Sequence, residues 1–145
     1  MIRVREKFAG YFNEESGKLL LRLSVAILML FHGFKKFNAG ISGIKALVIN
    51  AGLPDFLAYG VYIGELIIPF LLIIGLYTRA SALVLSTTMC GAIFLALSDK
   101  IFMLDAKTGG LVIELPLLFL LVSLVIAFLG AGKYSIDKKI QDYQK

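Results

Sequence analysis

Residues 80–98 read ASALVLSTTMCGAIFLALS, a stretch without one Asp, Glu, Lys, Arg or His. A helix needs roughly 20 mostly apolar residues, at about 1.5 Å rise each, to cross about 30 Å of hydrocarbon. This stretch meets that length. The blocks around it share its character: Phe56 to Tyr77 carries only Glu65, Leu111 to Leu129 only Glu114, and Leu19 to Phe34 only Arg22 and His32. Buried helices of a soluble bundle would show polar faces at helical spacing, and these blocks have almost none. Across the chain 59% of residues are hydrophobic and 17% charged, against about 45–50% and about 25% in soluble domains. Mean hydropathy is +0.86. The expected fold is therefore all-α, an integral membrane four-helix bundle. It forms a single transmembrane domain over residues 1–145, with spans near 19–37, 56–77, 80–98 and 111–129.

The first apolar block reads as a span and not as a removable signal peptide. It is long and runs into His32-Gly33-Phe34-Lys35-Lys36 without an A-x-A-like cleavage site. Residues 1–17, basic and carrying Phe8, Tyr11 and Phe12, read as an interfacial amphipathic stretch. Basic residues give the orientation. Arg3, Arg5, Lys7, Lys18, Arg79, Lys133, Lys138, Lys139 and Lys145 flank one side, and Lys35, Lys36, Lys45, Lys100 and Lys107 the other. The richer side is expected to be cytoplasmic, which puts both termini there. The net charge of +5 then reflects topology and anionic headgroups. No basic stripe with interleaved aromatics lies outside the spans, so nucleic acid is not an expected partner.

One cysteine and one histidine exclude several chemistries. Cys90 can form no internal disulfide, His32 alone cannot supply bis-histidine haem ligation, and a cysteine cluster for iron–sulfur is absent. Glu65 and Glu114 lack the Glu-x-x-His pattern of a di-iron site. No metal and no intrinsic redox centre is expected.

The connections are informative. In the longest external one, Asn38 to Asp55, Ser42 is expected to cap a short interfacial helix. Its Ile44, Leu47, Val48 and Ala51 share a face, and Gly52 and Pro54 stop it. The link Tyr77-Thr78-Arg79 is so short that its flanking helices must be antiparallel neighbours. Asp99 to Gly110 is polar, and Gly130-Ala131-Gly132-Lys133 ends the last apolar block.

Ionisable groups inside a bilayer are costly and mark sites or fasteners. Counting rise from the cytoplasmic ends puts Arg22 about 6 Å, His32 about 21 Å and Lys36 about 27 Å up the first span. The same count puts Glu65 about 18 Å up the second and Glu114 about 24 Å up the fourth. His32, Lys36, Glu65 and Glu114 thus share an outer layer, while Arg22 and Arg79 belong to the cytoplasmic half. Arg22, Ala26, Met29, Gly33 and Lys36 recur on one helical face, a stripe suited to a bundle interior. Gly60 and Gly64 make a small-xxx-small pair beside Glu65. Pro69 removes the helical bond to the Glu65 carbonyl, and Pro116 perturbs the helix start near Glu114. Freed backbone acceptors next to membrane carboxylates point to a polar cavity. The alternative is that these charges snorkel or pair to fix helix register.

The chain resembles the DoxX family of small bacterial membrane proteins, from about Leu19 to Asp137. The matching pieces are Leu20-Leu21-Arg22-Leu23, His32-Gly33-Phe34-Lys35-Lys36, Gly52-Leu53-Pro54, Gly64-Glu65 and Gly75-Leu76-Tyr77-Thr78-Arg79. Glu114 and Gly130-Ala131-Gly132-Lys133-Tyr134-Ser135-Ile136-Asp137 complete the series. The resemblance implies a four-helix fold in the bacterial cytoplasmic (inner) membrane. It also implies a link to quinone-dependent sulfur oxidation, since one archaeal member is a subunit of a thiosulfate:quinone oxidoreductase. Other members are described as partners in membrane redox or oxidative-stress complexes. The leading expectation is an accessory or scaffold subunit of a membrane redox complex. It would have no cofactor of its own, a quinone as ligand, and redox-enzyme subunits or a second copy as partners. The site candidates are Glu65, His32, Lys36, Glu114, Arg22 and Arg79, with Lys36 and Arg22 balancing the carboxylates. The competing expectations are a non-enzymatic assembly or stress-response protein, and a small transporter or proton pathway. Four short spans without a repeat give alternating access little room.

Overall fold

A computed structural model describes residues 13–144, all helix and connection except for one isolated antiparallel bridge between Leu104 and Leu111. Most of the amphipathic stretch expected over residues 1–17 lies outside the described residues. Helix α1 (Glu14–Ala39) begins on Asn13, whose side chain accepts a hydrogen bond from the Ser16 amide at 2.9 Å. Glu14 and Glu15 in its first turn and Lys36 in its last complement the helix dipole. Helix α2 (Ser42–Asn50) follows. Ser42 is its first residue and not its cap: Ile41 occupies the cap position, without a side-chain hydrogen bond. Val48 of α2 is buried with Ile41 and Ala58, and Ile44, Val61, Tyr62 and Leu95 pack on them. The short helix therefore docks on the ends of its neighbours. Leu47 and Ala51, expected on the same face, are exposed.

Helix α3 (Asp55–Ile74) is irregular. It opens as a 3-10 turn over Asp55–Tyr59, widens to a π-helical turn over Ile63–Ile67, and closes as α-helix over Ile68–Ile74. Pro69 stands just after the π turn. A residue that cannot donate forces the preceding carbonyls to find other partners, and a one-residue π insertion is a common way to absorb the mismatch. Gly75 ends α3 at φ +71°, where the Leu76 amide reaches back to the Leu71 carbonyl at 3.0 Å. That left-handed cap favours glycine. Only Leu76 and Tyr77 then separate it from α4 (Thr78–Leu97), so α3 and α4 run antiparallel. Helices α5 (Glu114–Leu129) and α6 (Ile136–Tyr143) complete the chain.

Helices α1, α3, α4 and α5 close around one core of Val25, Ala26, Met29, Ile68, Leu72, Ala82, Leu85, Met89, Phe119 and Ile126. The outside is as apolar as the inside: Leu20, Phe31, Phe94 and Phe128 are all more than two-thirds exposed. Arg22, Glu65, Ser81, Ser86 and Ser123 are buried instead. Large apolar residues outward and polar residues inward reverse the pattern of a water-soluble domain. Among the described residues, three helices are long and apolar enough to cross a membrane: α1, α3, and α4 with its 3-10 extension to Lys100. The apolar α5 has 16 residues, or about 24 Å of rise.

Candidate functional site: a half-buried ion pair at a helix irregularity

The face of α1 that packs inward consists of Arg22, Val25, Ala26, Met29 and Gly33, with Lys36 half-buried one turn on. Gly33 lies against the π turn of α3. A Cβ there would collide with the Glu65 carbonyl oxygen, so only glycine lets the two backbones approach this closely. One turn further, the Lys36 ammonium forms an ion pair with Glu65 Oε1. The two ends of this pair differ in environment. The Glu65 side chain is 3% exposed and that of Lys36 is 34% exposed. The second carboxylate oxygen, Oε2, is buried and accepts no hydrogen bond from the described residues. An orphaned buried acceptor in a folded protein calls for an explanation such as a ligand or a water.

Beside the pair lies a cavity of about 110 Å³, lined by Met29, His32, Lys36, Glu65, Met89, Ala92, Leu115, Pro116 and Phe119. It is bounded by α1, α3, α4 and α5. The His32 ring meets Phe119 edge to face, with centroids 5.6 Å apart. Its Nδ1 lies 3.0 Å from the Leu28 carbonyl oxygen. Because a carbonyl can only accept, Nδ1 carries the proton and donates. In the neutral ring of this exposed side chain Nε2 then offers a lone pair, and it has no partner among the described residues.

A second polar cluster sits at the other end of the bundle. Arg22, 2% exposed, donates to the carbonyls of Ala131 at 2.6 Å and Tyr134 at 2.7 Å. Asp137 accepts from the amides of Tyr77 at 2.7 Å and Thr78 at 2.8 Å, capping α4 from a distant part of the chain. Its own amide donates to the Gly75 carbonyl at 2.9 Å. Glu15 accepts from the Lys133 amide. The glycine-rich segment after α5 is thereby tied to α1 and to the α3–α4 link.

Residues 17–98 match the family described as DoxX. The chain belongs to the DoxX family. The match spans α1 through α4 and so contains His32, Lys36 and Glu65. Over 85% of its length this DoxX chain is 34% identical to a Bacillus subtilis protein named "Putative oxidoreductase CatD", covering 86% of it. It is also 35% identical to an uncharacterized Haemophilus influenzae protein, over 92% of this chain and 94% of that one. No solved structure matches.

The structure of this DoxX membrane protein brings together three of the six residues singled out from sequence: His32, Lys36 and Glu65. Glu114 stands apart. It is exposed, its carboxylate lies over Gly110, and the cavity is lined by its neighbours Leu115 and Pro116 instead. Arg22, expected to balance a carboxylate, donates its hydrogen bonds to backbone carbonyls, and the Asp137 carboxylate is near enough to act on its charge. Arg79 is exposed, packs against Gly130 and borders a separate surface hollow beside α6. Gly60 has open space around it, whereas Gly64 packs directly on Thr88. The role of Asp137 was missed. Its signal was present as Ser135-Ile136-Asp137 in the family pattern, but nothing local tied it to residues 77–78. Among the described residues no cluster of His, Cys, Asp and Glu could hold a metal ion.

Proposed function

We propose that this DoxX protein is a multi-pass subunit of a redox complex in the bacterial inner membrane. In this reading the cavity beside Glu65 receives the polar edge of a quinone ring. Four helices cross the bilayer, α5 included. Both termini face the cytoplasm, and α2 lies at the outer surface. The observation that carries the reading is the Lys36–Glu65 pair on a π turn, with one Glu65 oxygen unpartnered, on the wall of a cavity shared with His32. π turns inside α-helices are frequent at functional sites, and ionisable groups within a span mark binding or proton-handling positions. The name of the Bacillus subtilis relative supports an oxidoreductase context. A cavity of about 110 Å³ suits the oxygen-bearing edge of a ring, with the remainder lying among apolar side chains and lipid. Electrons would come from a partner subunit. This chain would hold the headgroup and handle protons at Glu65 and His32.

The test is titration of the purified protein with a short-chain quinone, using Glu65→Gln as the control. Saturable binding weakened by the substitution is expected, and absence of saturable binding refutes the reading. A second reading, a fastener that holds α1 to α3 within an assembly protein, is favoured by the direct pairing of Lys36 with Glu65. It predicts that Glu65→Gln lowers stability and leaves ligand affinity untouched.

A further inference from the structure

We infer that the cavity prefers the reduced form of its ligand, a hydroquinone, over the oxidised quinone. The inference rests on the quinone reading above and deepens it. It comes from counting the hydrogen-bonding groups that the fold leaves free. His32 Nδ1 is committed to the Leu28 carbonyl, so the neutral ring has only a lone pair to offer at Nε2. Glu65 is an acceptor at both oxygens when ionised; one meets Lys36 and the other has no partner among the described residues. Rotation about the last side-chain bond exchanges the two oxygens at little cost, so one acceptor stays in hand whichever oxygen faces Lys36. The remaining free donors belong to the Lys36 ammonium.

A quinone carries carbonyl oxygens and no O–H. It can satisfy Lys36 alone, leaving Glu65 and His32 facing an oxygen that cannot donate to them. A hydroquinone hydroxyl does both: it accepts from Lys36 and donates to Glu65 or His32. A site arranged to hydrogen-bond a hydroxyl discriminates strongly against the analogue lacking it, because its own buried groups are then left unpaired. Since Lys36 is partly exposed and able to relax, the expected discrimination is modest, about tenfold or more. Through linkage, tenfold tighter binding of the reduced form raises the potential of the bound two-electron couple by about 30 mV.

The experiment is an anaerobic binding titration of the full-length protein in detergent. The probes are a short-chain quinone, its quinol, and the quinol dimethyl ether, which keeps the ring and loses both O–H groups. The expected order is quinol at least tenfold tighter than either of the other two. In Glu65→Gln the new amide N–H can donate to a carbonyl, so the preference should fall below threefold. Equal binding of quinol and quinone in the wild type, or ether binding as tight as quinol, overturns the inference and leaves the quinone reading standing. Binding of none of the three overturns both. An unchanged preference in Glu65→Gln, with the helical spectrum intact, overturns the assignment to Glu65. The ether comparison uses only wild-type protein, so the inference stays refutable even if the variant fails to fold.

Discussion

Removing either end of the Lys36–Glu65 pair should not cost the same, because the two ends are not equally buried. Breaking a fully buried ion pair by deleting one partner costs about 3–5 kcal/mol, most of it the burden of the charge left behind. Lys36→Met leaves behind Glu65, with a 3% exposed side chain and its second oxygen already unpartnered. The loss should therefore approach the lower end of that range, about 3 kcal/mol. Glu65→Gln leaves behind Lys36, which is 34% exposed and can swing its ammonium outward, while the glutamine still accepts a hydrogen bond. That loss should be about 1 kcal/mol, the value of one net hydrogen bond. The double variant has no charge left to strand and should cost about 1–2 kcal/mol, so the coupling is about 2–3 kcal/mol. The chain contains no tryptophan, so reversible unfolding in mixed micelles would be followed by far-UV circular dichroism. Two results would refute the reasoning. One is a Lys36→Met loss below about 0.5 kcal/mol, the scale of a surface change. The other is single-variant losses that add to within about 0.5 kcal/mol in the double variant.

Three further outcomes are expected. Arg22→Lys should cost about 2–3 kcal/mol, since one ammonium cannot reproduce the fork that holds the Ala131 and Tyr134 carbonyls. Hydrogen exchange should localise the loosening to residues 131–137, and uniform protection there would count against it. Gly33→Ala should cost about 1–3 kcal/mol by driving a methyl into the Glu65 carbonyl, while Gly60→Ala, with open space around it, should be neutral or slightly stabilising in the same unfolding assay. The Lys45 ammonium is held above its ordinary range by a hydrogen bond to the Tyr59 hydroxyl, opposed by some desolvation. A raised pKa means that its contribution is complete at neutral pH and fades only as pH climbs past the ordinary lysine value of about 10.4. Amide exchange at residues 50–53, corrected for intrinsic rates, should accordingly be flat from pH 7 to 9. Tyr59→Phe should lower the Lys45 pKa measured by NMR.

Much of the bundle can be read from one dimension. Length and apolarity mark each helix-forming block, and the inward stripe of α1 follows from 3.6-residue periodicity acting on Arg22, Ala26, Met29 and Gly33. The short Tyr77-Thr78-Arg79 link makes α3 and α4 antiparallel neighbours. Proline at 69 announces a disturbed helix, but not its form. An α-helix can respond with a kink, a broken turn or a π insertion, and neighbouring side chains decide among them. Here Gly33, which admits the Glu65 carbonyl at close range, and Gly64, which packs on Thr88, hold the widened turn in place.

The class of the molecule and the height of its polar groups along each helix are legible in the sequence, because rise per residue is nearly constant. The direction in which those groups point is set by how the helices pack against one another. Successive helical residues are turned by about 100°. Leu115 and Pro116 can therefore line the cavity while Glu114, at almost the same height, lies over Gly110 outside it. Likewise Arg22 and Asp137 find backbone partners that no local spacing could announce, since those partners come from segments 59–112 residues away. Height is a property of one chain segment, but the choice of partner depends on how several helices rotate to fill a common core.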